Sequence, residues 1–175
     1  MSALVLIGPP AAGKTTVGRE LASLLNLRFL DTDQMVEQRS GQTVSQIFLN
    51  QGEAEFRVLE RAAAAEALAA SESEGLVIAL GGGAPLDVTT AERLKNNHHN
   101  RVVFLDISDS LAARRVGLNA SRPLLKESPR RVWRELMAQR RPTYEALAWI
   151  TLKVDGLAPA QTAARIAQMV MAKES

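Results

Sequence analysis

The sequence predicts an α/β fold in which a five-stranded parallel sheet is covered by helices on both faces. Three observations carry it. Five short apolar runs recur along the 175 residues; stretches with helical spacing separate them; and a glycine-rich turn joins the first run to the first helix.

Ala3–Ile7 is continuously apolar and too short for a helix, as a buried parallel strand should be. Gly8 to Gly13 break it. From Lys14 to Leu25 the residues Val17, Leu21, Leu24 and Leu25 share one helical face. Arg28–Leu30 reads as a second strand ending at Asp31-Thr32-Asp33. Helical patterns follow at Met35–Arg39, Val44–Leu49 and about Glu53–Ala70. Leu76–Leu80 is the third strand, cut off by Gly81-Gly82-Gly83, and Thr89–Lys95 reads as helix. Val102–Leu105 is the fourth strand, after which Ser108 caps a helix to about Val116. Gly117 to Ser128 has no periodicity and reads as a mobile loop. Pro129–Arg140 is helical, Ile150–Val154 is the fifth strand, and Pro159–Met171 closes the chain as an amphipathic helix. Linkers, repeats and low-complexity segments are absent from this pattern, so one domain over residues 1–175 is expected.

Composition narrows the function. The chain has no cysteine, so disulfides and thiolate metal ligands are excluded; a reducing cytoplasm is compatible with that. A net charge of +2, with Lys and Arg scattered, does not call for a nucleic-acid partner. No apolar run approaches the roughly 18 residues that span a bilayer, and Met1–Ile7 is too short and uncharged for a signal peptide. Arginines do cluster locally, at Arg114–Arg115, Arg130–Arg131 and Arg140–Arg141, where solvated helix faces are the plain alternative to a role in a site.

Gly8-Pro9-Pro10-Ala11-Ala12-Gly13-Lys14-Thr15 fits G-x-x-x-x-G-K-[ST] between a predicted strand and a predicted helix, the context this phosphate-binding motif requires. Backbone N–H groups from Ala11 through Thr16 and the positive helix end suit phosphate oxygens. Lys14 reaches the β- and γ-phosphates, and the Thr15 hydroxyl ligates Mg²⁺. A nucleotide is implied; the acceptor is not.

Other stations follow at the carboxyl ends of strands, where open parallel sheets hold ligands. In an extended Asp31-Thr32-Asp33 the two carboxylates would point to opposite sides, one toward a metal and one toward an acceptor hydroxyl. Spacing leaves it equally open that Asp33 only N-caps the next helix. Arg57 and Glu60, three apart on a helix, can pair; Phe56 suits a core. Gly81–Gly83 calls for positive φ, close approach of a ligand, or merely a tight turn. Arg122, in the loop, suits closure over phosphates. Arg140 and Arg141 sit near a helix end, just before Pro142. His98–His99 lack acidic partners and read as loop.

Taken in order, these segments resemble the shikimate kinases over nearly the whole chain: the phosphate loop, Asp31-Thr32-Asp33, Glu55-Phe56-Arg57-x-x-Glu60, Leu80-Gly81-Gly82-Gly83, Arg122-Pro123-Leu124-Leu125 and Arg140-x-Pro142-x-Tyr144. The resemblance implies ATP-dependent phosphorylation of the 3-hydroxyl of shikimate in aromatic amino-acid biosynthesis, by a monomer in the cytoplasm. It implies a substrate-binding region at about 33–61 and a lid at about 117–126. Asp33 would accept from the acceptor hydroxyl, as general base or orienter. Arg57 and Arg140 would clamp the substrate carboxylate, while Gly82 and Gly83 approach ring hydroxyls. Arg122 would close on the phosphates. Asp31 would hold a Mg²⁺-bound water beside Thr15, and Arg115 with Pro159 would sandwich adenine. Two departures stand out. Many members carry Gly where this chain has Ala11, which should weaken ATP binding if φ there is positive. The segment before Pro159 also lacks an arginine that some members place against adenine. A gluconate kinase is the nearest rival, disfavoured by the Leu-Gly-Gly-Gly and Arg-Pro-Leu-Leu segments; a non-catalytic sensor should have lost Asp33 or the clamp arginines, and all are present.

Overall fold

The computed structural model describes residues 3–118 and 129–174. Five parallel strands, β1 (Ala3–Ile7), β2 (Arg28–Asp31), β3 (Leu76–Ala79), β4 (Asn100–Asp106) and β5 (Ile150–Lys153), form one sheet in the order β2-β3-β1-β4-β5. Every residue of β1 and β3 is buried, whereas β2 and β5 alternate or open to solvent. Position in the sheet explains the difference: central strands are covered on both faces, edge strands are not. The expected fold class is the observed one.

Seven α-helices lie among the described residues: α1 (Lys14–Leu25), α2 (Thr32–Ser40), α3 (Val44–Ala70), α4 (Val88–Asn96), α5 (Asp109–Leu118), α6 (Pro129–Leu147) and α7 (Pro159–Glu174). α1 packs on α7, while α3–α4, α4–α6 and α5–α6 are neighbours, the two layers that right-handed crossovers demand. The main core joins Leu4, Leu6, Leu21, Ile78, Phe104 and Ile166 across the sheet. A smaller one, Val36, Ile47, Phe56 and Ala63, welds α2 to α3. The break expected between Leu49 and Glu53 is a kink inside α3 at Gly52 (φ 86°, ψ 171°).

Three expectations need correction. Asp31-Thr32-Asp33 is not extended throughout: Asp31 ends β2 and caps α2, accepting from the N–H groups of Asp33 and Gln34, so Thr32 and Asp33 already lie in the first turn. The N-cap is thus Asp31, not Asp33. α5 continues to Leu118, into the start of the expected loop. α6 does not stop before Pro142 but runs to Leu147. Proline there removes one helical bond, yet Trp133, Met137, Tyr144 and Leu147 bury one face on both sides of it, and that burial outweighs a local cost of about 3 kcal/mol. Arg122 and most of the 117–126 segment lie outside the described residues.

Candidate active site

The ends of β1, β2 and β3 point into one cleft. On its donor side, Gly13 adopts φ 87° as the residue that starts α1. Ala11 adopts φ 69°, a conformation that strains any residue with a Cβ by about 1–2 kcal/mol. Lys14 Nζ donates to the carbonyls of Gly8 and Pro9 at 2.8 and 3.0 Å, curling the ammonium over the loop. Arg115 crosses from α5 and donates to the Ala11 carbonyl at 2.9 Å, which ties the expected adenine-side arginine to the loop itself. Pro159, at the first position of α7, is exposed, as is Thr16.

Ala11 holds positive φ within the phosphate loop, so the fold itself carries the strain. Ala11→Gly relieves it while returning roughly 0.4–1 kcal/mol of unfolded-chain entropy. The expected result is a rise of about 0.5–1 kcal/mol in unfolding free energy by urea titration.

Three consecutive residues at the end of β2 reach three different neighbours. The Thr15 hydroxyl donates to the buried Asp31 carboxylate at 2.5 Å. Thr32, fully buried, accepts from the Gly81 N–H at 2.9 Å. Asp33 turns toward Gly81, where its Oδ1 and Glu60 Oε1 would each lie 2.6 Å from a Cβ. Helix entry at Thr32 is what fans these side chains out, since successive helical residues are rotated by about 100°.

On the acceptor side, Arg57 projects from α3 and donates to Glu60 at 2.6 Å and Glu53 at 3.1 Å. Its guanidinium lies 5.4 Å from the centroid of the Phe56 ring, and Phe56 is locked into the smaller core. Burial works against the Arg57 charge, but Glu60 and Glu53 more than offset it and hold the guanidinium above its usual range. None of Gly81–Gly83 uses positive φ; they are glycines for want of space. A Cβ on Gly83 would fall on the Arg57 guanidinium, and one on Gly82 would come within 3.1 Å of Arg140 and 3.3 Å of Pro10. The turn therefore threads between the phosphate loop and two arginines.

The arginine pairs part company here. Arg140 faces Gly82; Arg141 turns to Asp106, at 2.7 and 3.2 Å. Arg130 binds Asp109 and Arg131 binds Glu135 on the surface, and Arg114 is exposed. His98 and His99 are exposed in the turn before β4. Sequence reading gave no role to Tyr144, whose hydroxyl donates to the Gly82 carbonyl at 2.6 Å. The signal was its spacing of four from Arg140, hidden by ending the helix at Arg140. Thr32 was equally overlooked between its two acidic neighbours.

A cleft that sets a phosphate loop beside a carboxylate and two arginines can hold a triphosphate against a small anionic alcohol. A family model described as shikimate kinase matches residues 10–171. A shikimate kinase of Salinispora arenicola (strain CNS-205) is 47% identical over 168 residues, spanning 96% of this chain and 97% of that one. The solved shikimate kinase from Acinetobacter baumannii in complex with shikimate superposes with a TM-score of 0.91 at 36% identity, covering 99% of this chain and 94% of that one. That from Aquifex aeolicus gives 0.82 at 31% identity, covering 98% of each.

Proposed function

The chain belongs to the shikimate kinase family, and on that premise we propose that it transfers the γ-phosphate of ATP to the 3-hydroxyl of shikimate, giving shikimate 3-phosphate and ADP. The observation that carries this reading is the convergence of Asp33, Arg57 and Arg140 on the Gly81–Gly83 turn, directly beside the phosphate loop.

In this reading the substrate carboxylate lies between Arg57 and Arg140, whose planar forks match its two oxygens. Gly82 and Gly83 bring backbone close to the ring hydroxyls, which a side chain at either position would prevent. Asp33 accepts from the acceptor hydroxyl and takes its proton as the O–P bond forms. Lys14 leaves the carbonyls of Gly8 and Pro9 for the phosphates, where the N–H groups of Ala11, Ala12, Gly13, Thr15 and Thr16 also face. Arg122 closes on the transferring phosphoryl group, and Arg115 with Pro159 borders the adenine. Residues 33–61 form the substrate-binding region of a single-domain monomer that works in the cytoplasm on small molecules, with neither nucleic acid nor membrane as partner. No helix among the described residues is long and apolar enough to cross a membrane.

The pairing of a hydroxyl with a buried carboxylate at Thr15 and Asp31 is an all-oxygen donor set that fits Mg²⁺, an ion held by few protein groups together with phosphates. Bound there, Mg²⁺ would neutralise phosphate charge as it transfers. Thr15 would ligate it directly and Asp31 through water, while Asp31 keeps its cap on α2.

The deciding measurement is ADP release with shikimate, with gluconate and with no acceptor. Release that depends on shikimate is expected; equal release with all three would sink the assignment.

A further inference from the structure

Tyr144 is the chain's one tyrosine, and it is wholly buried one turn beyond Arg140 on α6. Its ring rests on Phe104, centroids 5.2 Å apart, so packing fixes where the hydroxyl reaches. Burial raises the phenol's pKa, as does the Glu60 carboxylate, while the Arg140 guanidinium, within hydrogen-bonding reach of the hydroxyl, and that of Arg57 pull the other way; the hydroxyl is a protonated donor across the neutral range. The carbonyl it holds, that of Gly82, shares a planar trans peptide unit with the N–H of Gly83, and in such a unit the two point in opposite directions. A carbonyl kept on the buried phenol therefore turns the Gly83 N–H away from it. The local turn, in which the Ala84 N–H donates to the Gly81 carbonyl at 3.0 Å, does not fix it alone, since its central peptide between two glycines can flip at little cost while that bond is kept.

We infer that Tyr144 is a positioning residue for the acceptor, its hydroxyl fixing the Gly82–Gly83 peptide so that the Gly83 N–H is presented to a ring hydroxyl of the substrate. The inference rests on the shikimate reading of this cleft. It makes α6 the source of two acceptor contacts, one through Arg140 and one through the backbone that Tyr144 holds.

Tyr144→Phe tests it while keeping the ring on Phe104. The expected result is a shikimate KM raised about three- to tenfold, the loss of one neutral hydrogen bond, with kcat and the ATP KM unchanged within about twofold. Deoxy analogues that each lack one ring hydroxyl, measured as competitive inhibitors, sharpen the test. One of them should bind wild type and Tyr144→Phe equally, because it lacks the hydroxyl that the Gly83 N–H serves. Met137→Leu, buried on the same helix, perturbs packing away from Gly82 and should leave the shikimate KM unchanged.

Should Tyr144→Phe fail to fold, fluorotyrosine incorporation alters this one phenol alone and makes it more acidic. The shikimate KM should then rise with pH as the donor is lost, and the ATP KM should not. An unchanged shikimate KM, a parallel rise for ATP, an equal rise in Met137→Leu, or a difference that survives in every analogue overturns the inference. Absence of shikimate-dependent ADP release in the wild type would instead remove the reading beneath it, so the two failures are distinct.

Discussion

Asp33→Asn is expected to lower kcat by roughly 10²–10⁴ while shikimate still binds. Asn keeps the size and hydrogen-bonding reach of the side chain but cannot take a proton. The first turn of α2 is held by the Asp31 cap, not by Asp33, so the fold has no reason to follow the activity down. Single-turnover kinetics with shikimate binding by calorimetry separate the two effects. A variant that lost binding and rate together would make Asp33 a binding group rather than the base.

The second large effect lies in the clamp. Arg57→Ala and Arg140→Ala should each raise the shikimate Kd by about 10- to 100-fold, the loss of a charge-assisted contact of roughly 1.5–3 kcal/mol, while the ADP Kd stays level. They should differ in one respect. Removing Arg57 strands Glu60, which is 3% exposed, beside Asp33 without its cation. A buried carboxylate left without its partner costs folding free energy, about 1–3 kcal/mol. The unfolding free energy by urea titration should therefore fall in Arg57→Ala and fall less in Arg140→Ala. A shikimate Kd unchanged in both variants would dispose of the clamp.

Much of this was legible in the residues. The strand cores of the sheet could be read because buried parallel strands are continuous apolar runs, and the phosphate loop because its motif fell between a strand and a helix. Helix ends were harder. Pro142 signals a stop by its local chemistry, and only the burial of Tyr144 and Leu147 beyond it, a tertiary fact, carries α6 through. Misreading that end left Tyr144, named only as part of the Arg140-x-Pro142-x-Tyr144 segment, without a role. Asp31-Thr32-Asp33 was recognised as a station, but its alternation was taken from a strand when the chain had already turned helical. The glycine turn was seen to need a reason, and the reason proved to be neighbouring side chains rather than backbone angles. No spacing rule could have separated Arg140 from Arg141, since adjacent residues on a helix diverge toward whatever packs on each side.

That turn also bears on how the site could be inhibited, and on how inhibition could be evaded. A compound seated against Gly82 and Gly83 touches main chain, which substitution cannot remove. A methyl group added at position 83 collides with Arg57, and one at 82 crowds Arg140 and Pro10. Resistance by single-residue change at these two positions would thus damage the enzyme's own grip on its substrate, leaving escape to arise elsewhere in the cleft.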